Sequence, residues 1–80
     1  MDIKAIKMLA QEKTAEELQA LADEFENSGI LPKNIQKDPA EYLSDLLQAL
    51  EVRLLVDSGL SLGDAVREFS KRVRQSMNTN

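Results

Sequence analysis

The residues with the most evident chemical potential are the carboxylates of one predicted helix, namely Glu16, Glu17, Asp23, Glu24 and Glu26. Glu17 and Glu24 are seven residues apart and share a helix face, so their oxygens could ligate a hard cation such as Ca²⁺. The chain has no Asp-x-Asp-x-Asp-Gly loop, and it has no histidine for a Glu-x-x-His di-iron pair. We therefore interpret these carboxylates as a solvated acidic face and predict no bound metal.

Nucleophilic catalysis lacks a visible base in this sequence. The chain has six serines but no histidine and no cysteine, and none of the serines stands in a Gly-x-Ser-x-Gly elbow. The glycine-rich loops that bind phosphate are also missing from the sequence. Tyr42 could carry a proton, but a tyrosine in a helical apolar seam more often packs with its polar tip toward water. We predict that the protein is not an enzyme, needs no cofactor and binds no small molecule.

Basic residues are concentrated near the carboxyl end of the chain. Residues 64–80 hold four of the ten basic residues and only two of the fourteen acidic ones. Arg67, Lys71 and Arg74 align on one helix face, and Arg72 lies four residues after Glu68. One interpretation is the preference of cations for a helix carboxyl end, and the other is a ridge that contacts an anion, an acidic partner or nucleic acid. The net charge of −4 and the lack of interleaved aromatic residues argue against nucleic acid.

The apolar spacing predicts an all-α fold of three to four helices. The first helix covers about residues 2–11, and the second runs from the Thr14–Glu17 capping box to Gly29. After a connector over residues 30–37, the third begins at Asp38-Pro39 and ends near Gly59. The fourth extends from Ser61 to about Met77. We expect the connector to bury its apolar residues, Ile30, Leu31 and Ile35, beneath the bundle.

Each predicted helix carries an apolar stripe that should face the core. For the third helix we assign the broad face of Ala40, Leu43, Leu46, Leu47, Leu50 and Leu54 to the core. The corresponding stripes are Ile3, Ile6, Leu9 and Ala10 in the first helix, Leu18, Leu21, Ala22 and Phe25 in the second, and Leu62, Val66, Phe69, Val73 and Met77 in the fourth.

The third helix is apolar on its other side as well. A second seam follows a 3-4-3-4 spacing and consists of Tyr42, Asp45, Ala49, Val52 and Val56. Either neighbouring helices of the same chain cover this seam, or it is a surface that a second copy or another protein covers. In the second case the fold would be a homodimer through helix three, with Arg53 close to Asp45 of the other copy. Asp45 favours a position near the rim, because a buried carboxylate needs a partner or water.

Composition sets the remaining bounds. A chain of 80 residues is at most one domain, here residues 1–80, and its core is thin enough that association is a common supplement. The lack of cysteine excludes disulfides and zinc–thiolate sites. No apolar run approaches the roughly 20 residues that cross a bilayer, and the charged amino terminus does not look like a secretory signal. We therefore expect a cytoplasmic protein that makes no membrane contact.

Four segments carry a family resemblance. They are IKAIKMLA at residues 3–10, TAEELQAL at 14–21, YLSDLLQAL at 42–50 and DAVREFSKRVRQSM at 64–77, of which REFSKRVRQSM is the most specific. Together they resemble a family of short, all-helical bacterial proteins without an assigned function. The resemblance implies a small helical domain and draws attention to Arg67, Phe69, Arg72 and Arg74. It implies no activity, ligand or partner.

These patterns lead to one functional hypothesis and one alternative. The hypothesis is a small non-enzymatic module that binds itself or another protein through the second seam of helix three. The alternative is an anion or nucleic-acid contact through the basic ridge, Arg67, Lys71, Arg72 and Arg74.

Overall fold

The computed structural model describes residues 2–77, with side chains through Gln75. It contains four helices: α1 (Ile3–Glu12), α2 (Ala15–Ser28), α3 (Pro39–Asp57) and α4 (Leu62–Met77). No strand occurs within residues 2–77. The predicted all-α class and the predicted helix order are confirmed, and each helix boundary lies within two residues of its expected position.

The helices begin where the sequence supplies a capping side chain. At α2, the Glu17 amide donates to Thr14 Oγ1 at 3.1 Å and the Thr14 amide donates to Glu17 Oε1 at 2.8 Å, so the predicted capping box is formed. At α3, the Asp38 carboxylate accepts a hydrogen bond from the Ala40 amide at 2.9 Å, and Pro39 occupies the first turn. Local sequence alone therefore fixes where α2 and α3 start.

Glycine ends α2 and lies in the α3–α4 turn, as predicted. Gly29 has a φ of 69° and Gly59 a φ of 120°, both in the region that side chains with a Cβ rarely adopt. The Gly29 amide donates to the carbonyl oxygen of Phe25, which satisfies one of the open carbonyls at the end of α2.

Helix α3 is the central element, because α1, α2 and α4 all pack against it. Phe25 of α2 meets Tyr42 of α3 edge to face, with ring centroids 5.1 Å apart and planes at 83°. Ile6 of α1 and Phe69 of α4 complete the contacts that join the other two helices to this core. The buried apolar residues are Ile6, Ala10, Leu18, Ala22, Phe25, Tyr42, Leu46, Ala49, Val52, Ala65 and Phe69.

The core side of α3 is displaced from the predicted face toward the second seam, although Leu46 is buried and Leu43 and Leu50 pack against the core as predicted. The second seam is the core side: Ala49 and Val52 are fully buried, and Val56 packs against the core. Of the face assigned to the core, only Leu46 is fully buried, whereas Leu47 is 41% and Leu54 52% exposed. Ala49, Val52 and Val56 of the second seam have smaller side chains than the leucines opposite, so they allow the neighbouring helices to approach α3 closely.

The connector over residues 30–37 also departs in part from expectation. Leu31 and Ile35 are partly buried against the core, as predicted, but Ile30 is 75% exposed. The Ile35 amide donates to the carbonyl oxygen of Pro32 at 3.0 Å, which closes a turn. Met77, the last residue predicted for the apolar stripe of α4, has a side chain outside the described residues.

The molecule is flat. Its extents are 31 × 31 × 19 Å, and the short dimension corresponds to two layers of helices packed about 10 Å apart. Its radius of gyration is 12.8 Å, against about 11.6 Å for a compact domain of this length. In a two-layer arrangement with α3 as the common contact, one side of α3 has no neighbouring helix to cover it.

The unequal burial of two leucines on α3 can be tested with one matched pair of substitutions. We expect Leu46→Ala to lower the free energy of unfolding by about 2–5 kcal/mol, because it opens a cavity in the core. Leu54→Ala, on the same helix, should cost less than about 1 kcal/mol, because half of that side chain is already in water. Urea denaturation at low micromolar protein concentration would measure both changes. Equal losses would contradict the burial of Leu46 and the exposure of Leu54.

Candidate interaction surface

The residues predicted to form an interaction surface lie inside the molecule. Tyr42, Asp45, Ala49 and Val52 are all less than a tenth exposed, and Val56 is partly buried. The chain's own helices cover this seam, so it offers no surface to a second molecule. Of the two alternatives for this seam, the structure therefore shows the first, in which helices of the same chain cover it. A homodimer through these five residues is incompatible with their burial.

The uncovered side of α3 carries the apolar residues instead. We call this side the outer face; it comprises Ala40, Leu43, Leu47, Leu50 and Leu54. A shallow groove beside Ala40, Leu43, Leu47 and Leu50 is lined by α3 alone, with Ser44, Gln48 and Glu51 on its polar flank. Leu43 and Leu50 are partly buried against the core, so the side chains that protrude most are Leu47 and Leu54.

Gln48 on this flank is incompletely satisfied. Its Nε2 donates to Ser44 Oγ at 3.1 Å, while its Oε1 is buried and has no hydrogen-bond partner. No other buried side-chain oxygen or nitrogen of the described residues lacks a partner. The polar flank of the outer face is therefore held by one weak internal contact rather than by a complete network.

Asp45, which we expected near a rim, is 2% exposed and forms an ion cluster with the connector. Lys37 Nζ donates to Asp45 Oδ2 at 2.6 Å and to Asp2 Oδ2 at 2.9 Å. We call these three residues the Lys37 cluster. Because Asp2 also caps α1 by accepting from the Ala5 amide at 3.1 Å, the cluster joins α1, the connector and α3.

The charges of the Lys37 cluster stabilise one another. Hydrogen bonds to Asp45 and then to Asp2 raise the pKa of Lys37 above its ordinary value, so the ammonium stays charged. The hydrogen bond from Lys37, followed by that from the Ala5 amide, lowers the pKa of Asp2. The partner that Asp45 required was thus a lysine eight residues earlier in the chain. Arg53, which we expected near a second copy's Asp45, instead bonds Asp57 at 3.1 Å and the carbonyl oxygen of Ala10 at 3.2 Å.

A cavity of about 630 Å³ lies between α1, the connector and α3, and the Lys37 cluster stands at its polar end. Ala5, Leu9 and Ile35 contribute to its apolar wall. Its size is in the range of small-molecule sites. Its charged lining residues are three lysines and three carboxylates, so the charges balance and select neither an anion nor a cation: Lys4, Lys13, Lys37, Asp2, Glu12 and Asp45.

Tyr42 is a packing residue. Burial, with a smaller effect of Glu24, raises the pKa of Tyr42, so the phenol is neutral across the physiological range. Its ring packs edge to face on Phe25. This geometry accounts for Tyr42 without assigning it a proton-transfer role.

The basic ridge on α4 is partly neutralised by its own helix. Arg67 pairs with Asp64, and Arg72 Nε lies 3.4 Å from Glu68 Oε1. Lys71 and Arg74 form no ion pair with a described residue, and both are exposed. The structure therefore leaves two of the four predicted cations available to an external anion.

The acidic residues of α2 do not converge. Glu17 is engaged in the capping box, and the Asp23 carboxylate accepts from Gln19 Nε2 at 3.0 Å. Across the described residues, no three acidic side chains come close enough together to hold a metal ion. Likewise, none of the four helices combines the length and the apolar character needed to span a bilayer.

Comparison with known proteins places the chain in a family. It belongs to DUF6952, a family of unknown function whose model matches residues 1–78. The resemblance drawn from the four sequence segments is thereby confirmed as one to a short helical family. Neither a curated protein nor a solved structure gives a significant match.

The Lys37 cluster generates a stability prediction. We expect Lys37→Met to lower the free energy of unfolding by about 1–3 kcal/mol, because it leaves the buried Asp45 carboxylate without its donor. Lys33→Met is the matched control, since Lys33 is exposed and forms no ion pair with a described residue. Thermal or urea denaturation of both variants gives the comparison. If both substitutions have the same effect, the cluster contributes nothing to stability.

The lowered pKa of Asp2 predicts an acid-side loss of stability. A carboxylate whose pKa is lower in the folded state stabilises the fold above its unfolded pKa, and this contribution disappears as pH falls through the folded pKa. We expect the melting temperature to fall as pH decreases from about 5 to about 3. Because Glu17 and Asp64 also have lowered pKa values, Asp2→Asn should reduce this pH dependence without removing it. An unchanged acid profile in Asp2→Asn would contradict the prediction.

Proposed function

We propose that this chain is a non-enzymatic protein-interaction module of the cytoplasm and that its contact surface is the outer face of α3. The observation that carries this proposal is the alignment of Leu47 and Leu54, 41% and 52% exposed, on a helix face that no other described element covers. Single exposed leucines are ordinary on protein surfaces. Leucines aligned on one helix face, with a groove beside Leu47, form a patch of the kind that marks interaction sites.

The total surface supports the same proposal. The accessible surface is 5560 Å², whereas a compact monomer of 8.9 kDa exposes about 4,800 Å². The chain therefore exposes about 750 Å² more than a compact monomer of its mass. Part of this excess follows from the flat shape, which is itself the reason that α3 has an uncovered side.

The free energy gained by burying the exposed leucines limits the affinity of the contact. Burying the exposed halves of Leu47 and Leu54 contributes about 1 kcal/mol for each side chain. Association costs an estimated 4–15 kcal/mol in lost translational and rotational freedom. The outer face must therefore contribute several apolar side chains at once, and the resulting contact is reversible and of modest affinity.

The alternative is an anion or nucleic-acid contact through the α4 ridge. Lys71 and Arg74 have exposed side chains and no ion pair with a described residue. Against this alternative stands the pairing of Arg67 and Arg72 with carboxylates of the same helix. Two cations on a chain of net charge −4 give a weak electrostatic attraction to phosphate, so this alternative ranks second.

Site-specific photocrosslinking tests the proposed surface without assuming the identity of the partner. A photoreactive phenylalanine derivative is placed at Leu47 or Leu54 in cells that express the chain. Irradiation should give covalent protein adducts several-fold more abundant than those from the same group at Ala20, because Ala20 is exposed on α2 and lies outside the outer face.

The control also guards against nonspecific reaction. Equal adducts at Leu47 and Ala20, or none at Leu47 and Leu54, would remove the outer face as a contact surface. The substitutions at Leu47 and Leu54 replace side chains that are already about half exposed, so circular dichroism of the purified variants should show an intact fold.

A further inference from the structure

The five residues of the outer face, followed by Asp57, have a strict heptad spacing. Ala40, Leu47 and Leu54 occupy the a positions, and Leu43, Leu50 and Asp57 occupy the d positions of two and a half heptads. Every residue of this set lies within α3. Apolar residues at this spacing form the contact line between two helices of a coiled coil.

We infer that the outer face pairs with the same face of a second copy of the chain, with the two α3 helices antiparallel. In this arrangement Leu43 lies opposite Leu54 of the second copy, and Leu47 lies opposite its Leu50. This inference rests on the proposed function and names the partner, which the proposed function leaves open.

The register follows from the symmetry of the sequence. In an antiparallel pair of helices, a positions lie opposite d positions. The pairs Leu43–Leu54 and Leu47–Leu50 share one midpoint, between residues 48 and 49, and so does the pair Ala40–Asp57. All of these pairs therefore form at once around a single two-fold axis, which is the requirement for a closed dimer.

Other antiparallel registers are poorer. A shift of one heptad toward the amino end places Leu43 opposite Leu47 of the second copy and leaves Leu54 beyond the start of the opposing α3. A shift of one heptad in the other direction places Leu47 opposite Asp57. The register centred between residues 48 and 49 is the one in which every leucine of the outer face meets a leucine.

A parallel pair would also match leucine with leucine, but its charges are unfavourable. Asp57 would lie opposite Asp57 of the second copy in the last layer, and like charges directly opposed are destabilising. The two helix dipoles would point the same way. In the antiparallel pair Asp57 lies opposite Ala40, and each carboxyl end of α3 is next to an amino end.

The polar flank fits the antiparallel arrangement. Ser44 and Glu51 both lie on the polar flank of the groove. When the helices are antiparallel, the heights of Ser44 in one copy and Glu51 in the other differ by about 3 Å along the helix axis. The Ser44 hydroxyl can then donate to the Glu51 carboxylate of the second copy, and the two-fold axis produces this contact twice. The two Glu51 carboxylates themselves lie at different levels.

Disulfide trapping tests the orientation, and the absence of cysteine from the native sequence removes any background. Leu43→Cys and Leu54→Cys are prepared separately, mixed and oxidised under mild conditions. The antiparallel pair predicts a mixed disulfide at least about tenfold more abundant than either homodisulfide, because equivalent residues lie about 16 Å apart along the axis, beyond the reach of a disulfide. A parallel pair predicts the homodisulfides instead, and their dominance overturns the inference.

Sedimentation equilibrium of the unmodified chain separates this inference from the proposed function. Protein concentrations up to about 100 µM suffice to detect a dimer of modest affinity. We expect a monomer–dimer equilibrium that Leu47→Glu weakens at least about tenfold. Met8→Glu is the matched control and should leave the equilibrium unchanged, because Met8 is a large apolar residue of α1 that is 49% exposed and lies outside the outer face.

The outcomes keep the two proposals apart. A monomer at all concentrations, or a dimer in which the mixed disulfide does not form, overturns the inference, and so does a dimer that both glutamate variants weaken equally. Photocrosslinks from Leu47 to a different protein would then leave the proposed function standing, whereas their absence as well would remove both.

Discussion

The structure depends on α3 being apolar on both sides while only one side can be covered. Three short helices pack against α3, and together they bury Leu46, Ala49 and Val52. Residues 2–77 form no fifth helix that could cover the opposite side. The flat shape, the exposed leucines and the large accessible surface are all consistent with helices that cover only one side of α3. In a larger domain, further helices or strands of the same chain would bury the second apolar side of such a helix.

The Lys37 cluster explains how so thin a core keeps its connector in place. The connector contributes only Leu31 and Ile35 to the apolar contacts. Lys37 adds a hydrogen bond to Asp45 on α3 and another to Asp2 at the start of α1. These contacts bring together segments that are far apart in the sequence. Such an ion cluster is weak evidence for net stability, but it favours one arrangement, because Lys37 is the one side chain among the described residues that donates to the Asp45 carboxylate.

The sequence predicts features that local interactions determine, and it fails where the outcome depends on distant segments. The capping box of Thr14 and Glu17 and the start at Asp38-Pro39 are readable because each needs only neighbouring residues. The sequence does not show which side of α3 is covered, because both sides carry apolar residues and no polar face marks the side that contacts solvent. The same limit hid the partner of Asp45. The sequence favoured a position near the rim, and nothing in it singled out Lys37 among the six basic residues before position 64. Consequently the five residues predicted as an interaction surface lie on the side of α3 that the chain itself covers.

Charge limits what an apolar outer face can do. Two copies of a chain with net charge −4 repel each other, and this repulsion is screened over about 8 Å at physiological ionic strength. Apolar contact acts at shorter range, so it decides whether two molecules that have already met remain together. The negative charge thus opposes nonspecific aggregation through the exposed leucines. Binding of a complementary partner is still favourable, because it buries these side chains. A flat, acidic molecule with one apolar helix face is therefore suited to a specific, reversible contact more than to permanent assembly.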